Sequence, residues 1–88
     1  MKIIYSTKFI KKYKKLPNKI KELAEEKEIV FKKDIFDKSL KTHKLHGKFK
    51  DFYSFSIDYS YRIIFEISKS EKNTVYFHTV DNHSVYNN

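Results

Sequence analysis

The spacing of apolar positions along the 88-residue chain changes once, from helical to alternating. Lys2-Ile3-Ile4-Tyr5 reads as a short strand, and Ser6-Thr7 then offers hydroxyls where a helix needs an N-cap acceptor. Phe9, Tyr13 and Leu16 follow at i, i+4, i+7 among lysines, which predicts an amphipathic helix with one buried stripe that ends at Pro17. Ile20, Leu23, Ala24, Lys27, Val30 and Phe31 keep helical spacing, so a second helix is predicted over about 17–33, forming a hairpin with the first. Residues 34–50 show no sustained period and read as a long connecting loop anchored by Ile35, Phe36, Leu40 and Leu45. Alternation then takes over. Tyr53, Phe55 and Ile57 fall on one face with Ser54, Ser56 and Asp58 on the other, and Tyr61, Ile63, Phe65 and Ile67 repeat the pattern after the turn-like Asp58-Tyr59-Ser60. A polar turn at 68–73 precedes a last strand over Thr74–Val80. The expected fold is α+β: an N-terminal strand, then a helical hairpin packed on one face of an antiparallel sheet completed by three C-terminal strands. Its other face would display Ser54, Ser56 and Arg62.

A chain of this length has room for one core, so residues 1–88 are expected to form a single domain. Fifteen Phe and Tyr residues supply its bulk, while one Gly and one Pro leave most turns to Asn, Asp, Ser and Lys. There are no cysteines, which removes disulfides, thiolate metal sites and cysteine nucleophiles together. The first residues turn polar after Tyr5 and lack the apolar core of a signal peptide, and no window approaches a membrane span. The reading is a soluble, cytoplasmic protein.

The formal charge of +8 is unevenly placed: residues 1–50 hold 16 lysines against 6 acids, whereas residues 51–88 hold 3 basic residues against 5 acids. A basic N-terminal half attracts polyphosphate in a salt-dependent way. A solvated lysine-rich helical face, or an acidic protein partner, accounts for the same charge.

Three segments carry candidate chemistry. The loop Thr42-His43-Lys44-Leu45-His46-Gly47-Lys48-Phe49-Lys50 combines cations for phosphate with an aromatic for base stacking, the ingredients of single-stranded nucleic-acid binding; the plainer reading is a solvated loop anchored by Leu45 and Phe49. Arg62, the sole arginine, sits in an apolar strand, and its planar fork suits a phosphate; its structural reading is an ion pair with Glu66. His83 and Tyr86 follow the last strand, where a group that titrates near neutrality and a phenol can move protons or stack on a base, though terminal residues of these types are also ordinary surface residues. His43 and His46 lack a neighbouring acid or Cys to complete a metal site, and a single glycine leaves no phosphate-cradling loop, so neither metal nor cofactor is expected.

In order and spacing, Leu45-His46-Gly47, Tyr61-Arg62 opening an apolar strand, and the ending Val80-Asp81-Asn82-His83-Ser84-Val85-Tyr86 resemble the RelE/ParE toxin superfamily across the whole chain. The resemblance implies a toxin of a type II toxin–antitoxin pair, held by a cognate antitoxin. It implies a metal-free endoribonuclease that cuts mRNA, in the ribosomal A site beside rRNA, by 2′-hydroxyl attack on the adjacent phosphate. By matching position Arg62 would stabilise the phosphate, His83 and Tyr86 would handle protons or stack, and His43, which resembles the loop histidine of the YafQ-like branch, would be base or acid. Lys44, His46, Lys48 and Lys50, with Ser54 and Ser56, would contact RNA. The chain departs from the pattern where the paired strand lysines of RelE stand as Ser54 and Ser56, where the YafQ-like histidine and aspartate of this strand and turn stand as Ser56 and Ser60, and where a glycine and an acid of the C-terminal run stand as Asp81 and Ser84. The identity of the general base is therefore left open. The competing readings are a ParE-like inhibitor of DNA gyrase without catalysis and an inactive RNA-binding module; the oligomeric state is likewise open.

Overall fold

The computed structural model describes residues 1–82. Strand β1 (Lys2–Tyr5) leads into helices α1 (Thr7–Lys14) and α2 (Asn18–Lys33), which are followed by β2 (His43–Lys44), β3 (Tyr53–Ser56), β4 (Tyr61–Ile67) and β5 (Thr74–Asn82). Both helices begin where the sequence signals them. The Ser6 Oγ accepts from the Phe9 amide at 2.9 Å and donates to the His78 carbonyl at 2.7 Å, so one side chain caps α1 and ties it to β5. Pro17 precedes α2, where its missing N–H costs nothing.

The sheet order is β1-β5-β4-β3-β2. From β2 to β5 every pair is antiparallel, as the alternation predicts, but β1 joins β5 in parallel, making the sheet mixed. Strands joined by a turn must run antiparallel, whereas two helices and three strands separate β1 from β5, so no turn dictates their relative direction. Side-chain acceptors close the turns in place of glycine. Asp58 Oδ1 accepts from the Ser60 and Tyr61 amides at 2.8 Å each, and Ser68 Oγ accepts from the Glu71 amide at 2.9 Å.

The helices cover one face. Phe31 of α2 stands at the centre, its ring 4.7 Å from Phe55, 4.9 Å from Phe65 and 5.4 Å from Phe77, and all four rings are fully buried. Phe9 of α1 meets Phe77 edge-on at 5.4 Å. One aromatic per element locks helices to three strands, and burial plus edge and offset contacts makes this cluster the main store of stability.

The segment read as one unstructured loop is more ordered than its pattern indicates. It holds single-turn 3₁₀ helices at Lys38–Leu40 and Gly47–Phe49, and between them the two residues of β2 pair with β3. Elements of two or three residues are too short to establish a period. Asp37 caps the first turn, and the Ser39 hydroxyl and amide bonded to its carboxylate hold Asp37 below the usual carboxylate range.

Candidate functional site

The sheet face turned away from the helices is built by register. Ser54 of β3 stands between His43 of β2 and Ile64 of β4, and Ile64 pairs with Thr79; one row along, Ser56, Arg62 and Asp81 stand side by side on β3, β4 and β5. Pairing thus gathers His43, the two serines and the only arginine from three segments onto one surface.

This surface is not an open display of Ser54 and Arg62. Ser54 is 1% exposed and Arg62 3%, with Ile64, Thr79 and Asp81 also buried and Ser56 half-buried. Neighbouring strands enclose the short Ser54 side chain, so it lies beneath the surface as a support. Arg62 does not share Glu66 in the way its structural reading supposed: Glu66 Oε1 takes His78 Nε2 at 3.0 Å. Asp81, opposite Arg62, receives the Thr79 hydroxyl at 2.8 Å and the ammonium of Lys12, which reaches across from α1. A buried guanidinium beside a buried, shared carboxylate is costly to assemble for stability alone.

His43 is exposed at the rim, and both its ring nitrogens face specific groups. Nδ1 lies 3.1 Å from the Lys41 carbonyl and Nε2 lies 3.4 Å from Ser54 Oγ. A carbonyl only accepts, so Nδ1 carries the hydrogen and Nε2 of the neutral ring is the bare, basic nitrogen facing the serine. Lys41 is fixed for this task. It adopts the left-handed conformation at φ 52°, its amide bonds the Lys38 carbonyl, and the neighbouring Thr42 hydroxyl holds the Ile35 carbonyl at 2.6 Å.

Lys44, His46, Lys48 and Lys50 are exposed along the same loop. His46, Gly47, Lys48 and Phe49 line a cavity of about 350 Å³, with the Lys48 ammonium 5.4 Å from the Phe49 ring centre. Gly47 takes φ 67°, a conformation that a side chain would strain. His83 and Tyr86 lie outside the described residues. No group of three or more His, Cys, Asp or Glu placed to hold a metal occurs among the described residues, and no helix among them is long and apolar enough to cross a membrane.

The sheet of order β1-β5-β4-β3-β2 with a helical pair on one face makes a fold that superposes on solved toxin structures. The YoeB/ParE toxin from Agrobacterium tumefaciens superposes with a TM-score of 0.79 over 94% of this chain and 99% of its own, at 16% identity. The chain has the fold of the RelE/ParE-like toxins. A chain of the YoeB–YefM complex from Staphylococcus aureus matches with a TM-score of 0.75, over 94% of this chain and 97% of that one at 17% identity. A chain of the E. coli DinJ–YafQ toxin–antitoxin complex matches with 0.68, over 94% and 92% at 17% identity. No protein-family model matches the sequence, and no curated protein does.

Reading the sequence alone passes over Lys41, the Glu66–His78 pair and the Lys12–Asp81 pair. One signal for His78 is present: buried apolar positions run Val75, Phe77 and then Val80, an odd-to-even switch that marks a bulge at residue 78.

Proposed function

We propose that this protein is the toxin of a type II toxin–antitoxin pair and a metal-free endoribonuclease that cuts mRNA in the ribosomal A site of the cytoplasm. The observation that carries the reading is the convergence of His43 and Arg62 on one sheet face, with the His43 Nδ1 turned to the Lys41 carbonyl and Nε2 to the Ser54 hydroxyl, in a chain with the fold of YoeB and YafQ toxins. His43 takes the proton of the ribose 2′-hydroxyl on Nε2 as that oxygen attacks the adjacent phosphorus. The bond from phosphorus to the 5′-oxygen breaks, leaving a 2′,3′-cyclic phosphate and a 5′-hydroxyl. Arg62 offsets the charge on the phosphorane, and His83 or Tyr86 returns a proton to the departing oxygen. Lys44, His46, Lys48 and Lys50 hold the RNA backbone and rRNA, and Ser54 and Ser56 line the floor. In the solved complexes the partners are YefM and DinJ; here an antitoxin segment of acidic character covers the basic surface.

The burial of Arg62 favours one second reading, a toxin that inhibits DNA gyrase by binding without chemistry, because a phosphate reaches the guanidinium only by displacing what encloses it. Primer extension on mRNA from translating ribosomes separates the two. New cuts within codons, lost in Arg62→Ala and His43→Ala and reduced in His83→Ala and Tyr86→Phe, are expected. Growth arrest with intact mRNA selects gyrase binding, and normal growth selects an inactive module.

A further inference from the structure

The polar face continues beyond the proposed catalytic groups into a row of rings that the mechanism leaves unused. His78 is the extra residue of the β-bulge, since Ile64 pairs with Thr79 and Phe65 with Phe77. The bulge turns the His78 ring onto Phe52 at 4.7 Å and 32°, with Tyr76 on the other side at 6.5 Å and 32°; Phe52 continues to Phe49 at 6.4 Å and 35°. Each neighbouring pair is tilted by a similar small angle, so four rings from two segments run as one track, with the Lys48 ammonium over its far end and the loop cavity beside it. The Glu66 carboxylate, bonded to His78 Nε2, stands at the edge, and both side chains are about one-third exposed, at 36% each. None of the four rings is fully buried, unlike every Phe of the helix-facing core.

We infer that this track is a nucleobase-binding subsite for single-stranded RNA, taking a base one or two nucleotides from the cut phosphate. The inference rests on the ribonuclease reading for the position of that phosphate, but the subsite itself is built from the rings. Glu66 lies four residues along β4 from Arg62, about 13 Å at strand spacing, too far for the scissile nucleotide and suited to a neighbour. Aromatic faces bind any base by stacking, and a cation at the end of the row receives the backbone. The carboxylate adds selectivity, because it only accepts hydrogen bonds and so favours a base whose edge donates, guanine foremost with its adjacent N1–H and N2 amino group.

The test uses short single-stranded RNAs with a 2′-O-methyl group at the cut position, so that the intact protein binds without turnover, read by fluorescence anisotropy. Phe52→Leu keeps apolar bulk while removing the ring, and His78→Ala removes a partly exposed one; circular dichroism establishes that each is folded. Each is expected to weaken binding about 10-fold. An RNA with an abasic site at the neighbouring nucleotide should lose the same factor on the wild type and nothing further on the variants, and Glu66→Gln should erase a preference for guanine there. With mRNA programmed on ribosomes as the substrate, the ring variants should raise KM and leave kcat unchanged. Folded variants that bind normal and abasic RNA as tightly as the wild type overturn the subsite, even in a protein that cuts mRNA. Ring-dependent binding together with mRNA left intact on translating ribosomes upholds the subsite and overturns the ribonuclease reading, and a wild type that binds no RNA overturns the subsite.

Discussion

The two faces of the sheet are both largely buried, yet they are built on opposite terms. Towards the helices, Phe31, Phe55, Phe65 and Phe77 interlock with no polar atom among their side chains. Away from them, Ser54, Arg62, Thr79 and Asp81 are buried with a histidine at the rim and rings alongside. Burial of apolar rings is favourable by itself, whereas burial of a guanidinium and a carboxylate must be offset by partners and rarely yields a net gain. The first face accounts for the fold; the second gains little stability from its buried charges and is the face on which the proposed function rests.

Substitutions should therefore separate along the two faces. The largest effect expected is that of Phe31→Ala, which removes the ring common to three contacts and should cost about 3–5 kcal/mol in denaturant unfolding. Arg62→Met should do the reverse. An unbranched apolar side chain in the buried site is expected to leave stability within about 1 kcal/mol or raise it, while mRNA cleavage falls about 100- to 1,000-fold. A loss of several kcal/mol here would make Arg62 part of the core and erase the contrast between the faces.

A smaller effect is expected at the seam between helix and polar face. Lys12→Met takes the ammonium away from the buried Asp81 carboxylate, and about 1 kcal/mol should be lost, less at high salt because the lysine meets solvent. Smallest is Tyr5, at the outer edge, whose phenol burial and its bond to Glu28 hold above its ordinary value of 10.0. Above that pH the unfolded chain gives up the proton while the folded chain keeps it, so this contribution is intact below about pH 10 and is lost as pH rises further. Tyr5→Phe should flatten that decline, measured as the difference in unfolding free energy between wild type and variant across the alkaline range.

The legible part of this protein is the part with a period. The Phe9, Tyr13 and Leu16 stripe, the α2 stripe ending in Phe31, and the alternation from Tyr53 to Ile67 specify two helices and a hairpin because each repeats often enough to define a face. Arg62 and His43 stand out as residue types misplaced in, or concentrated beside, such patterns. The parallel docking of β1 on β5, the two-residue strand that brings His43 to Ser54, the burial of the polar face and the ring track at His78 have no such signature. Each depends on contacts between segments distant in sequence.

Local periodicity by itself determined the elements and their apolar faces, since hydrophobic burial acts on each element's own spacing. Only the tertiary structure decided which polar side chains meet, because pairing register sets that, and a shift of one residue turns every side chain to the other face.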